Sequence, residues 1–106
     1  MDSNLMRRMQ EMQRRADELQ KGLAAIEVEG VSGGGLVRAT VNGLGELKKI
    51  VIDPSILKPD EHGIVEDLVV SACADGKAKL EARRMQDSQF LQNLMQSFGA
   101  GLPGSN

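Results

Sequence analysis

The side chains that most often carry out catalysis are few in this chain and cannot be grouped into an active site. There is one histidine, His62, and one cysteine, Cys73, which excludes a structural zinc site within one chain. His62 lies at a predicted helix start as an exposed turn residue, and Cys73 lies beside that helix's apolar face as a small hydrophobic residue. Glu66 and Asp67 are helical neighbours, so their carboxylates diverge. We therefore expect no enzyme activity, cofactor or metal ion.

The glycine-rich segment Ser32–Gly35 has the composition of a phosphate-binding loop. A Walker loop, however, ends in Gly-Lys-Ser or Gly-Lys-Thr and leads directly into a helix. Here Leu36 and Val37 follow, and they begin a strand pattern. The segment is therefore interpreted as a flexible hairpin turn.

Cations repeat at seven-residue intervals in the N-terminal segment, in two adjacent rows: Arg7, Arg14 and Lys21, then Arg8 and Arg15. Such a repeat suits a helix that lies along a phosphate backbone. Acidic residues are interleaved with these cations at four-residue spacing, which equally suits a solvated, salt-bridged face. The residues alone leave both interpretations open.

A second group of cations lies towards the C-terminal end and comprises Lys77, Lys79, Arg83 and Arg84, set against Glu81 and Asp87. This is the clearest net-positive segment of the chain. It suits either a nucleic-acid contact or an exposed helix end, where cations are favourable in any case. Because Lys79 and Arg83 continue an apolar face, we expect this helix to run past the edge of a sheet into solvent.

The first element that must position these cations is a helix predicted over residues 3–25. It carries an apolar stripe at alternating steps of four and three, formed by Leu5, Met9, Met12, Ala16, Leu19, Leu23 and Ile26. Methionine and alanine pack softly, so we expect the far N-terminal part to be exposed or shared with a partner. The segment from Leu19 to Ile26 is expected to dock on the protein's own core.

The hydrophobic period then changes from helical to alternating, which predicts three short strands. They run from Ile26 to Gly30, from Leu36 to Val41 and from Leu47 to Ile52, and Asn42-Gly43 provides a favoured turn. Pro54 ends the third strand because proline cannot continue an internal ladder.

A second helix is predicted from about Asp60 or Gly63, with one apolar face that covers the sheet. The segment from Phe90 to Phe98 is a helix extension, a dock for a partner subunit or a weakly ordered tail. Residues 1–98 are predicted to form a single domain, and 99–106 a flexible C-terminal tail. The predicted fold class is α+β, with the order α-β-β-β-α.

Composition limits the classes of partner. The chain has 106 residues, 13 basic and 15 acidic side chains and a net charge of −2, so overall charge does not favour nucleic acid or an anionic membrane. Phe90 and Phe98 are the only aromatic residues, so the core must be aliphatic and thin, which favours an obligate dimer. One cysteine, no signal-peptide pattern and no membrane-length apolar stretch lead us to expect a soluble cytoplasmic protein.

Several motifs in order resemble the YbaB/EbfC family of small bacterial nucleoid-associated proteins, over about residues 4 to 85. They are the Met/Gln-rich helix Met6–Gln20, Glu27-Val28-Glu29-Gly30, Ser32-Gly33-Gly34-Gly35-Leu36-Val37, Val41-Asn42-Gly43, Ile52-Asp53-Pro54-Ser55-Ile56-Leu57 and Glu66-Asp67-Leu68-Val69. The set is specific, although no single member is. One departure is Ala74-Asp75-Gly76, where such proteins usually carry Asn followed by Asp-Ala. Glycine inside a helix costs about 1 kcal/mol relative to alanine but permits another backbone to approach closely.

The resemblance implies an α-β-β-β-α protomer, a tight homodimer whose helices project like tweezers, and binding to double-stranded DNA with little sequence specificity. It fixes no DNA-contacting residue, so our candidates come from the charge pattern: Arg7, Arg8, Arg14, Arg15, Lys77, Lys79, Arg83 and Arg84. We predict a nucleoid-associated homodimer in the cytoplasm that contacts DNA phosphates and affects chromosome organisation and gene expression, with no membrane or small-molecule partner. The alternative is a non-enzymatic dimeric adaptor that binds other proteins through its Met-rich first helix.

Overall fold

The computed structural model describes the backbone of residues 3–101 and the side chains of residues 3–98. The elements are helix α1 (Ser3–Ala25), strands β1 (Glu27–Ser32), β2 (Val37–Asn42) and β3 (Leu47–Ile52), and helix α2 (His62–Gly101). Single 3-10 turns occupy Gly33–Gly35, Pro54–Ile56 and Pro59–Glu61. The predicted α-β-β-β-α order is confirmed, and α1, β2 and β3 have essentially the predicted bounds.

The three strands form one antiparallel sheet in the order β1-β2-β3. The glycine-rich segment between β1 and β2 is a tight connection, because Gly33, Gly34 and Gly35 have φ values of 60°, 68° and 104°. These values lie in the left-handed region that glycine occupies without a steric penalty. The interpretation of this segment as a hairpin turn is therefore confirmed.

The core lies between one face of the sheet and helix α2. Alternation along β2 places Val37, Ala39 and Val41 on that face with at most 1% exposure, and Ala72 and Leu80 of α2 are also buried. Helix and sheet approach each other closely at two glycines. A β-carbon built on Gly30 would lie 2.1 Å from the Ala72 carbonyl oxygen and 2.3 Å from the Gly76 nitrogen. Gly76 thus permits the close backbone approach that its position in the sequence suggested.

The turn after β2 joins the two helices to the sheet at one point. Its Gly43 amide donates to the carbonyl oxygens of Leu23 and Ile26, each at 3.0 Å. The Arg84 side chain of α2 donates to the Gly43 carbonyl oxygen, also at 3.0 Å. We call this meeting point the neck. Helix α1 is therefore attached by its C-terminal end.

The expectation that residues 19–26 dock on the core is wrong for Leu19, which is 65% exposed. Leu23 and Ile26 are half-buried at the neck, and no residue of α1 is buried. The reason is geometric: a straight helix held at its last turn moves away from the sheet within one further turn. The N-terminal part, which was predicted to be exposed or shared with a partner, is exposed in the single chain, with Met9 at 62%.

Helix α2 continues well past the sheet, as its cationic positions suggested. Side chains from Glu81 to Phe98 are exposed, and the segment from Phe90 to Phe98 is a helix extension. The helix ends at Gly101. Residues 102–106 lie outside the described part of the chain, and the flexible tail over residues 99–106 stays a prediction. The radius of gyration is 21.3 Å, against about 13 Å for a compact domain of this length. The two helices thus extend as separate arms.

Candidate nucleic-acid interface

Helix α1 carries more cations than carboxylates and separates them from its apolar residues. Between Ser3 and Ala25 there are five basic and three acidic side chains, none of them buried. At 3.6 residues per turn, Arg7, Arg14 and Lys21 fall within about 20° of one line along the helix. We call these three residues the cationic row. The apolar stripe that includes Leu23 lies about 180° from it, so the two groups occupy opposite sides of α1.

Two of the candidate arginines on α1 are held by carboxylates of the same helix. Arg14 donates to both Glu11 oxygens and, at 2.6 Å, to Glu18 Oε1, while Arg15 Nε lies 3.3 Å from Glu11 Oε1. The hydrogen bond from Arg14 lowers the pKa of Glu11, and the same bond raises the pKa of Arg14. Exposed pairs at this spacing contribute only about 0.2–0.5 kcal/mol each, so phosphate oxygens can replace the carboxylates at small cost.

Arg7 and Arg8 occupy the part of α1 with the most positive local charge. The segment Ser3–Gln10 contains these two arginines and no acidic residue. Within residues 3–98, neither guanidinium lies in a salt bridge with a carboxylate. Their charge is therefore available to an anionic partner without the loss of an internal contact in that part of the chain.

Lys79 and Arg84, two of the candidates on α2, bind the protein's own backbone. Lys79 Nζ donates to the Glu29 carbonyl oxygen at 3.0 Å and lies 2.9 Å from Asp75 Oδ2. Arg84 donates to Gly43 at the neck and lies 3.6 Å from a Glu81 oxygen. These contacts hold α2 to the sheet. The charge pattern did not predict these contacts, because the carbonyl groups of Glu29 and Gly43 are distant in sequence from Lys79 and Arg84.

The remaining α2 candidates differ in placement. Lys77 is exposed, and Arg83 lines a niche at the neck beside Leu23 and Ile26. Arg7 lies sixteen residues before Leu23, or about 24 Å along the helix axis. One protomer therefore does not bring the N-terminal arginines together with the cations of α2.

Five exposed cations were absent from the predicted set: Lys21, Arg38, Lys48, Lys49 and Lys58. Lys48 and Lys49 project from β3, an edge strand, and Lys21 completes the cationic row of α1. The signal for Lys21 was present in the seven-residue repeat. Lys48 and Lys49 are adjacent residues of β3. The pairing of β2 with β3 has a bulge between Thr40 and Val41, which disturbs the alternation of sides along the strand.

Neither a metal site nor a membrane span is found in the part of the chain that the structure describes. It contains no cluster of three or more His, Cys, Asp or Glu side chains that could hold a metal ion. None of its helices has the length and apolar composition that crossing a bilayer requires.

The chain is similar over most of its length to bacterial proteins. It is 44% identical over 100 residues to a nucleoid-associated protein of Caulobacter sp. (strain K31), covering 94% of this chain and 92% of that one. It is 43% identical over 99 residues to nucleoid-associated protein Atu0095 of Agrobacterium fabrum, covering 93% and 86%.

A solved structure and a family model agree with these relatives. The crystal structure of the uncharacterized protein HP0035 from Helicobacter pylori superposes with a TM-score of 0.57 at 29% identity, covering 76% of this chain and 93% of that one. The model of the YbaB/EbfC DNA-binding family matches residues 1–95. The resemblance read from the motifs is confirmed, and this chain belongs to the YbaB/EbfC DNA-binding family.

Proposed function

We propose that two copies of this chain form a homodimer that binds double-stranded DNA through phosphate contacts and with little sequence specificity. Its place would be the nucleoid in the cytoplasm, where it would affect chromosome organisation and gene expression. The observation that carries the proposal is the placement of Arg7, Arg14 and Lys21 along one side of an exposed helix, opposite its apolar stripe.

The cationic row is suited to phosphates because it extends along the helix. Arg7 and Lys21 are fourteen residues apart, or about 21 Å, so the row can contact several phosphates of one duplex. Arginine and lysine bind phosphate whatever the adjacent base is, and such contacts carry no direct sequence information. Low sequence specificity follows from this type of contact.

The net charge of −2 per chain limits the affinity that we expect for DNA. Long-range repulsion between the acidic body and DNA opposes the local attraction at α1, so we expect modest affinity that falls steeply with added salt. Binding of DNA by six to ten phosphate contacts typically loses about 10³–10⁵ in affinity between 50 and 200 mM salt. Two copies provide enough cations on α1 for contacts of this number.

The test is a fluorescence-anisotropy titration of a labelled duplex of about three helical turns, repeated across this salt range. Replacing Arg7 and Arg8 by glutamine should weaken binding and reduce the slope of log K against log [salt] by roughly 2 to 4, according to whether one or both copies contact the duplex. Gel filtration of the variant should show an unchanged dimer.

A matched control removes the same charge elsewhere. Lys48→Gln/Lys49→Gln also deletes two exposed cations per chain, but on the sheet edge, and should leave the slope close to that of the parent. An equal loss in this control would move the DNA contact to the sheet. Absence of binding at low salt with an intact dimer would contradict the proposal and favour the adaptor that binds proteins.

A further inference from the structure

The turn at the neck contains the one asparagine of the chain that is followed by glycine, Asn42-Gly43. Asparagine deamidates most readily before glycine, because glycine has no side chain to hinder attack of its nitrogen on the asparagine carboxamide. The fold nevertheless uses both residues. The Asn42 side-chain oxygen accepts from two amides of the turn, and a β-carbon built on Gly43 would lie 2.4 Å from the Leu23 carbonyl oxygen. The neck therefore depends on a chemically labile pair.

The reaction available to this pair is the loss of ammonia through a cyclic imide. The Gly43 nitrogen gives up its proton to a base and bonds to Cγ of Asn42. The bond from Cγ to Nδ2 breaks, and the departing nitrogen takes a proton from water and leaves as ammonia. Water then opens the imide at either carbonyl group. Opening at Cγ gives aspartate, and opening at the main-chain carbonyl gives isoaspartate, whose side-chain carbons become part of the backbone.

The native contacts hold both reacting groups apart. The Gly43 amide donates to the carbonyl oxygens of Leu23 and Ile26, each at 3.0 Å, so loss of its proton would leave an anionic nitrogen facing two oxygens. Nδ2 of Asn42 donates to Glu46 Oε1 at 2.8 Å, and the carboxamide oxygen accepts two amides. Asn42 is 1% exposed, which keeps out water and base. Its Cγ cannot turn towards the Gly43 nitrogen without the loss of these contacts.

We propose that Asn42 is a latent site of spontaneous deamidation, sealed by the neck and reactive only when the neck opens. This inference goes beyond the proposed function and does not depend on DNA binding. The neck can open while the core stays packed, because no residue of α1 is buried and the core cluster lies between the sheet and α2. Elements with few buried contacts open at the lowest free energy.

Reaction at this site would detach α1 permanently. An aspartate at position 42 has no Nδ2 group to donate, so its carboxylate would face that of Glu46 across a contact that is 2.8 Å long in the native protein. An isoaspartate adds one carbon to the backbone and shifts the Gly43 amide away from Leu23 and Ile26. Neither product can re-form the original neck. Each opening therefore risks a permanent loss of the attachment of α1.

The direct test follows deamidation at Asn42 in the full-length parent protein. The protein is incubated at mildly alkaline pH, with and without a denaturing concentration of guanidinium chloride, beside a synthetic peptide of residues 39–48. Trypsin releases the same segment from the protein, and mass spectrometry detects the mass gain of deamidation. This gain separates the reaction from isomerisation at Asp75-Gly76, which leaves the mass unchanged.

The native protein should react at least about 100-fold more slowly than the peptide. This ratio corresponds to an opening free energy of about 2.8 kcal/mol, at 1.4 kcal/mol per factor of ten. The denatured protein should react at a rate close to that of the peptide. A native rate equal to the peptide rate would overturn the seal, and a denatured protein that does not react would overturn the site.

Arg84→Gln tests whether the neck is the gate. It removes the hydrogen bond to the Gly43 carbonyl oxygen and should accelerate native deamidation about fivefold. Lys77→Gln, a control, removes a cation from an exposed position of the same helix and should leave the rate unchanged. Ile56→Val weakens the core in the turn after β3, at the opposite end of the sheet, and should also leave it unchanged. No acceleration in Arg84→Gln, or an equal acceleration in either control, would overturn the neck as the gate.

Asn42→Asp tests the consequence, because it reproduces one product. Hydrogen exchange measured by NMR should be at least about tenfold faster at the Gly43 amide than in the parent, with the β2 ladder still protected. Unchanged protection at Gly43 would contradict the predicted release of α1. Loss of protection throughout the sheet would show that the effect is not confined to the neck, and would contradict it equally.

Discussion

The close approach of β1 and α2 at Gly30 predicts a large effect for a single added methyl group. In Gly30→Ala the added β-carbon would lie 2.1 Å from the Ala72 carbonyl oxygen, 2.3 Å from the Gly76 nitrogen and 2.7 Å from the Gly76 α-carbon. All three atoms are backbone, so no side chain can rotate away. Strand β1 and helix α2 must separate by at least about 1.3 Å to restore ordinary van der Waals contact, which begins at 3.4 Å.

That separation loosens the packing that forms the core. Val37, Ala39 and Ala72 have 0% exposure and lie in the layer that would open. Overpacking typically costs 1–3 kcal/mol, and because the contact is backbone against backbone we expect about 3 kcal/mol. With a urea m-value of about 1.5–2 kcal/mol/M, the midpoint should fall by roughly 1.5–2 M.

Two other glycines provide matched controls for the same substitution. Gly22 in α1 has no atom within 4 Å of a built β-carbon, so Gly22→Ala should stabilise by about 0.5–1 kcal/mol through helix propensity. At Gly76 the same gain is offset by contacts of 3.0 Å to Val41 Cγ2 and 3.4 Å to the Gly30 nitrogen, and the net change should be within about 1 kcal/mol of zero.

Urea denaturation followed by circular dichroism at one fixed protein concentration measures all three variants, since the stability of a dimer depends on concentration. The expected order of midpoints is Gly22→Ala, then Gly76→Ala, then Gly30→Ala. A Gly30→Ala midpoint within experimental error of the parent would refute the close approach of β1 and α2.

Two further substitutions test contacts between α2 and the sheet. The amide of Val31 donates to Asp75 at 2.8 Å and Lys79 pairs with the same carboxylate, so the pKa of Asp75 is lowered, first by the backbone hydrogen bond and then by Lys79. The stabilisation by the Asp75 carboxylate is present above its ordinary pKa of 3.8 and is lost as the pH falls through the lower pKa of the folded state. The Asp75→Asn variant should therefore lose less stability on acidification than the parent does. Equal decreases of the melting temperature at acid pH in the two proteins would contradict this. Arg84→Gln removes the hydrogen bond to the Gly43 carbonyl oxygen at the neck. Because Arg84 is half exposed, the substitution should lower the free energy of unfolding by about 1 kcal/mol, as measured by urea denaturation. An unchanged urea midpoint would show that the neck is held without this hydrogen bond.

The local elements could be predicted from the sequence because each depends on nearby residues. Four-and-three spacing of apolar residues gave α1, alternation gave β2 and β3, and Asn42-Gly43 gave the turn between them. Asn42 is 1% exposed, and its side-chain oxygen accepts from the amides of Leu44 and Glu46, each at 3.0 Å. These hydrogen bonds join residues within a five-residue segment, so the sequence alone is enough to predict the turn.

The candidate site was predictable only as a list of cations. Sequence spacing identified the rows on α1 and the four-residue pairing of Arg14 with Glu18 and of Arg15 with Glu11. It did not show that Lys79 and Arg84 bind carbonyl groups fifty and forty-one residues away. Such contacts depend on where α2 crosses the sheet, which no local pattern encodes.

The sequence by itself determined which side of each helix is apolar and which is cationic, because helical periodicity fixes directions around an axis. Tertiary structure decided what those sides meet. The glycine contact between Gly30 and Gly76 sets how closely α2 packs, and the neck at Gly43 sets where α1 departs. These contacts join segments that are distant in sequence. Leu19 and Leu23 therefore have the same heptad spacing, yet Leu19 is exposed and Leu23 is half-buried.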